Sequence, residues 1–205
     1  MSGDPFSHNG GGVVAMLGRD CVALAGDLRL GVGFQTVATG FPKVFVMQHN
    51  LLLGLAGLAT DVQTLHALLA RRLALYRLRE NRDMPARTFI SLVGTTLYEH
   101  RFAPFFVTPA VVGLQDGRPL LCTYDSIGTQ SVHERFAAAG TAAGNFVGLC
   151  ESYHRKGLGR EELGDVLANV LVSGLDRDVL AGWGGVLYVM DTERIDIKTL
   201  KTKMV

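Results

Sequence analysis

The sequence predicts an α+β fold: two antiparallel sheets packed face to face and covered on both outer sides by helix pairs, a four-layer αββα sandwich. Three observations carry this expectation. Strand-like runs come in pairs joined by short turn signals, so hairpins dominate. Helical periodicity comes in two blocks, each of two helices. Strands and helices do not alternate singly, which argues against a parallel βαβ sheet. The order is strands, two helices, strands, two helices, strands.

The elements justify themselves in turn. Gly12 to Leu17 and Cys21 to Ala25 are apolar and β-rich, and Gly18-Arg19-Asp20 links them as a hairpin. Val44 to Val46 and Leu51 to Leu53 flank His49-Asn50 as a second one. The period then changes. Thr60-Asp-Val-Gln63 has the capping-box form, and Val62, Leu65, Leu68, Leu69, Leu73 and Tyr76 recur at helical spacing, predicting a helix over 61–79. Pro85 suits the first turn of the next helix, whose apolar face is Phe89, Leu92, Val93 and Leu97. Ala110 to Gln115 and Pro119 to Tyr124 are strands joined by Asp116-Gly117, a strong hairpin turn. Phe136 to Ala139 reads as a short strand and Ala142 to Tyr153 as a helix. Glu161 and Glu162 open a further helix with Leu163, Val166, Leu167, Val170 and Leu171 on one face. Gly185 to Met190 and Arg194 to Thr199 close the fold as strands, the last one alternating as a half-exposed strand should. No linker or repeat interrupts the chain, so residues 1–205 are expected to form a single domain.

Bulk properties narrow the function classes. With 205 residues and 48% hydrophobic composition, the chain can bury a sizeable core. Its 20 basic and 19 acidic residues leave a net charge of +1, so neither nucleic acid nor a membrane surface is an expected partner. Arg71, Arg72, Arg77, Arg79 and Arg82 read as a helix face and its C-terminal end. No 18-residue apolar run and no signal-peptide pattern are present. Cys21, Cys122 and Cys150 are odd in number, lie in apolar contexts and read as buried free thiols.

Residues 9–16, "NGGGVVAM", pose the functional question. A dinucleotide loop needs a strand before its glycines and a helix after them, whereas this run precedes a strand. No Gly-Lys-Ser/Thr P-loop, no HExxH among the six histidines and no G-x-S-x-G elbow occurs. No cofactor and no metal are expected. Cys21, at the start of an apolar run, and Ser7, without an adjacent base, are poor nucleophile candidates.

A series of motifs, in order and with compatible spacing from Asn9 to Met204, carries a resemblance. They are "NGG", "VAM", "CVA", Asp27-Leu-Arg29, "GLAGLATDVQT", "LYE-x-RF-x-P", "CES", "DRD" and a final "TLK". Together they resemble the proteasome β subunits of the N-terminal-nucleophile (Ntn) hydrolase superfamily, whose fold is the αββα sandwich. Within that family the closest pattern is that of the type flanked by β2- and β4-type subunits.

The resemblance implies a site. In catalytic members an N-terminal threonine, freed by autolysis, attacks the peptide carbonyl. A lysine and an aspartate tune it, a glycine N–H forms the oxyanion hole, and a serine and a distal aspartate hold the terminal amine. Those positions fall on Asp27, Lys43, Gly57 and Asp178, all retained. The serine positions fall on Thr141 and Ala181. The nucleophile falls on Gly11, which has no side chain. The resemblance therefore implies a vestigial site, a non-catalytic subunit of a threonine endopeptidase complex, and an N-terminal segment (residues 1–8) that stays attached.

Asp27 and Lys43 are then expected to persist as a structural ion pair, with Asp27 and Arg29 bonded to the N-terminal segment. Gly57 is expected to serve a tight turn. The family also implies α and β subunits as partners, an opposite β ring, roles in ubiquitin-dependent and unfolded-protein degradation, and a location in cytoplasm and nucleus. Thr129 and Ser131, in "DSIGTQSVH", match a segment that faces a neighbour's substrate cleft. Two alternatives remain open: a peptidase of the same fold with an unorthodox nucleophile, and a non-enzymatic binding module.

Overall fold

The computed structural model describes residues 4–202. Residues 1–3 of the N-terminal segment, and Met204 at the end of the resemblance, lie outside the described residues. The described residues begin with a single helical turn, α1 (Pro5–His8), and then form β1 (Gly12–Leu17), β2 (Val22–Asp27), β3 (Leu30–Val32), β4 (Gln35–Ala38), β5 (Val44–Gln48) and β6 (Leu51–Gly57). Helices α2 (Ala59–Glu80) and α3 (Ala86–Glu99) follow, then β7 (Val107–Gln115), β8 (Arg118–Tyr124), β9 (Gln130–His133) and β10 (Phe136–Gly140). Helices α4 (Ala143–Tyr153) and α5 (Arg160–Leu175) lead to β11 (Gly185–Met190) and β12 (Ile195–Leu200).

Two five-stranded antiparallel sheets result, in the orders β10-β1-β2-β11-β12 and β5-β6-β7-β8-β9, with β3 and β4 as a separate hairpin. The predicted sandwich is present. Strands β1 and β2 are buried at every position, and period 2 divides their side chains between two cores. Val14, Met16, Ala23 and Ala25 pack under α4 and α5 with Phe146, Leu163, Leu167 and Leu171. Val13, Ala15, Leu17, Val22 and Leu24 face the other sheet, meeting Leu52, Ala56, Ala110 and Val112. A third core joins that second sheet to α2 and α3 through Leu53, Leu55, Leu65, Leu69, Phe89 and Val93. Three apolar layers are what four stacked layers of secondary structure require.

Several local expectations need correction. Thr60 does not cap α2. The helix begins at Ala59, its N-cap is Leu58 with no side-chain cap bond, and the Ala59 N–H is taken instead by the Asn9 side chain at 2.8 Å. Asp61, in the first turn, accepts from the Phe106 N–H at 2.8 Å rather than closing a box. The β3–β4 hairpin and β9 carry no periodic apolar signal: β4 is half-buried at one position and exposed at the rest, and three of the four residues of β9 are exposed. Among the described residues, no helix is long and apolar enough to cross a membrane.

Packing also sets a pH dependence. His66, stacked on Phe45 with ring centroids 4.0 Å apart, has its pKa lowered by burial, as have His133 and His154. Each is therefore more basic unfolded than folded. The unfolded chain takes up protons first as pH falls below about 6.5, so the contribution to stability is full above that value and declines toward the folded pKa. We expect the urea midpoint to drop steadily between pH 7.5 and 5.5. A midpoint that held constant or rose on acidification would contradict the buried-imidazole assignment.

Candidate functional site

The predicted site residues other than Thr129 and Ser131 converge where β1 begins and β2 ends, against the second sheet. Asp27, the last residue of β2, is fully buried and Lys43 is 3% exposed. Lys43 Nζ lies 2.9 Å from Asp27 Oδ1 and donates to the Arg29 carbonyl at 2.7 Å. Asp27 Oδ1 also accepts from the Gly12 N–H at 2.9 Å. Its Oδ2 accepts from Arg29 N–H and Gly182 N–H, both at 3.2 Å. One carboxylate thus receives an ammonium and three backbone donors from three segments. That is the condition under which a buried charge is tolerated.

The distal pair is also assembled. Thr141 Oγ1 donates to Asp178 Oδ2 at 2.6 Å and accepts from the Gly11 N–H at 3.2 Å. Asp178 Oδ1 accepts from the Leu180 N–H at 2.9 Å. The Gly11 carbonyl accepts from the Thr141 N–H at 2.8 Å. Both backbone groups of Gly11 are therefore engaged. Ala181 is buried next to Gly182 and contributes no hydroxyl. Gly57 ends β6 with φ +133, and a Cβ there would overlap the Phe106 carbonyl oxygen and stand 2.9 Å from Val107 Cα. Its lack of a side chain is thus demanded by the turn into α2.

Gly11 lies at the centre. Its φ is +122, and a Cβ built on it would overlap Lys43 Cε and lie 2.8 Å from Nζ. The lysine stem fills the volume that any side chain at position 11 would need. Lysine, aspartate and the threonine–aspartate pair surround a position whose residue carries no side-chain oxygen or sulfur.

Arg29 departs from expectation. Among the described residues its guanidinium does not bind the N-terminal segment; it donates to the carbonyls of Leu180 and Gly33, each at 2.9 Å, and to Thr36 Oγ1 at 3.0 Å. Being 2% exposed, it staples the β3–β4 hairpin to the loop after α5. A long side chain two residues past Asp27 gave no sign of that direction. Thr129 and Ser131 are not part of the cluster. They sit at and on β9, the outer edge of the second sheet, where Asp125 Oδ1 accepts from the Thr129 N–H at 2.7 Å.

Cys21, Cys122 and Cys150 are buried free thiols. Burial pushes the pKa of Cys21 and Cys122 up and that of Cys150 up to about 12. Thiolate is the reactive form, so no equivalent of a thiol reagent should react within minutes at neutral pH, and three should react after unfolding. One rapid equivalent in the folded protein would revive Cys21 as a nucleophile.

Comparison with known proteins gives a consistent result. The family model described as "Proteasome subunit" matches residues 7–190. The chain is 47% identical over 200 residues to "Proteasome subunit beta type-3" of Picea mariana, covering 97% of this chain and 98% of that one. It is 46% identical over 200 residues to "Proteasome subunit beta type-3-B" of Arabidopsis thaliana, with the same coverage. It is 42% identical over 202 residues to "Proteasome subunit beta type-3" of Saccharomyces cerevisiae, covering 98% of each.

Proposed function

Because the chain belongs to the proteasome subunit family, we propose that it is a non-catalytic, β3-type subunit of the 20S core particle, its whole length a single β-type domain. Its work is to build the β ring and the proteolytic chamber in which other subunits cleave ubiquitin-tagged and unfolded proteins. The observation that carries this reading is Gly11. The lysine, both aspartates and the turn glycine are retained around it, while the nucleophile is absent and its volume is filled by Lys43. Covalent catalysis has no substitute for a missing nucleophile. Without one there is no autolysis, so the segment before Gly11 stays on the chain.

β2- and β4-type subunits are the proposed ring neighbours, with contacts to an α ring and to the opposite β ring. The proposed location is cytoplasm and nucleus. Side-by-side contacts between different subunits close a ring when their rotation closes. Native isolation of the chain from its own cell, followed by mass measurement and cross-linking, tests this. A multi-subunit particle with cross-links to β2- and β4-type chains is expected. A lone 22.1 kDa species would contradict it.

Thr129 and Ser131 are proposed to border a neighbour's cleft from the exposed edge strand β9. Replacing both with alanine is expected to change the neighbour's peptide preference by a few-fold while leaving total assembly unchanged. Identical preferences for every peptide tried would dispose of this role.

A further inference from the structure

Asn9 and Gly10 form an asparagine–glycine pair, which has a chemistry of its own. A glycine nitrogen has no neighbouring side chain to shield it, so it can attack the side-chain carbonyl carbon of the asparagine before it. In this chain the fold holds that carboxamide at both ends. Asn9 closes the α1 turn as its C-cap, with φ −94 and ψ −19. Its Nδ2 donates to the Gly31 carbonyl on β3 at 2.9 Å, and its Oδ1 accepts from the Ala59 N–H at the start of α2 at 2.8 Å. The Gly31 and Gly33 N–H groups donate to the carbonyls of Asn9 and His8 at 3.3 and 2.9 Å. Phe6 fixes the segment further, edge to face with Phe106 at a centroid distance of 5.7 Å. Gly10, with φ +68, is packed so closely that a Cβ on it would lie 2.6 Å from Leu180 Cβ and overlap the Leu180 carbonyl oxygen. Among the described residues the Gly10 N–H donates to no acceptor, so its nitrogen is not tied elsewhere.

We propose that Asn9 is a latent modification site, protected while the N-terminal segment is docked and converted to aspartate or isoaspartate when the segment is released. The Gly10 nitrogen gives up its proton and bonds to Asn9 Cγ. The Cγ–Nδ2 bond breaks, and Nδ2 leaves with that proton as ammonia. A cyclic imide remains, and water opens it. Cleavage of the new Cγ–N bond gives aspartate. Cleavage of the original peptide bond gives isoaspartate, with one carbon more in the backbone. Nothing is oxidised or reduced. Because Nδ2 is the leaving group, the ring cannot close until its bond to Gly31 is broken, and that is the protection. The products cannot redock as before. Aspartate keeps an acceptor for Ala59 but sets an oxygen against the Gly31 carbonyl, leaving that carbonyl without its donor. Isoaspartate lengthens the chain beside Gly10, where Leu180 leaves no room. A chain whose segment has once come loose is thereby marked. The inference rests on the reading that the residues before Gly11 stay attached.

The test uses the chain as isolated from its own cells, in whatever assembly it occupies, held at mildly alkaline pH. Its N-terminal peptide is read by mass spectrometry at intervals, beside the same chain unfolded in urea and a synthetic peptide of residues 4–15. Conversion at Asn9 in the native sample should be roughly thirtyfold slower than in the peptide, since two net hydrogen bonds must open first. The unfolded chain should match the peptide. Phe6→Ala removes one aromatic contact without touching Asn9, and should speed conversion in the native sample by roughly two- to tenfold. Asn9→Asp stands in for the first product, and should speed amide hydrogen exchange at Gly31 and Gly33 by roughly tenfold. Conversion as fast in the native sample as in the peptide would overturn the inference. So would an unfolded chain that does not convert, a folded Phe6→Ala chain no faster than wild type, or unchanged exchange in Asn9→Asp. Should Phe6→Ala not fold, the native, unfolded and peptide rates decide. A native sample with no peptide preceding Gly11 would instead overturn the attached-segment reading, and the inference with it.

Discussion

Asp27→Ala is expected to destabilise the chain by about 3–5 kcal/mol, the cost of leaving a buried charge without its partner. The variant strands Lys43 at 3% exposure and removes the acceptor of three backbone donors at once: Gly12, Arg29 and Gly182. Against a total stability of about 5–15 kcal/mol, a loss of that size lowers the urea midpoint by roughly 1–2 M. The controls separate charge from shape. Asp27→Asn should also destabilise, because its amide must turn an N–H toward a group that already donates. Adding Lys43→Met to Asp27→Asn should recover part of the loss, since an apolar stem no longer needs a counter-ion. Equal midpoints for wild type and Asp27→Ala would mean that the pair is a relic without structural weight. A double variant worse than the sum of its singles would place the stabilisation in something other than the ion pair.

Restoring threonine at position 11 should not restore an enzyme. At φ +122 a side chain is strained by about 1–3 kcal/mol, and the new Cβ would fall on the Lys43 stem. Relief requires Lys43 to leave Asp27, which breaks the same buried pair. The expected result for Gly11→Thr is a destabilised chain that shows no new reaction with an electrophilic peptide probe for N-terminal threonines. A probe-labelled chain of this size in the variant would mean that the site is dormant only for lack of one hydroxyl.

Long amphipathic helices and tight hairpins were legible from the residues because one local rule governs each. Leu65, Leu69 and Leu73 repeat at helical spacing, and Asp116-Gly117 specifies its own turn. The β3–β4 hairpin was not, since Gln35 to Ala38 is largely exposed and is held by the Arg29 guanidinium rather than by a buried face. The start of α2 misled for a related reason. Its cap comes from Asn9, fifty residues away in sequence, while Thr60 and Gln63 only imitate a local box. At the site, Asp27, Lys43, Thr141 and Asp178 could be placed only through their resemblance to a family pattern. No periodicity brings residues from four segments together. Gly182 and Leu180 contribute through backbone groups alone, which every residue possesses and which no composition can mark. The filling of the Gly11 volume by Lys43 is a fact of three dimensions.

The claim that matters most is that this chain never becomes a nucleophile-bearing subunit. It is tested by the N-terminal peptide of the mature chain, recovered from native particles and read by mass spectrometry. A peptide running unbroken across Gly10-Gly11 is the predicted result. A mature chain beginning at Gly11 would show that the segment is removed, and the silent-site reading would have to be abandoned.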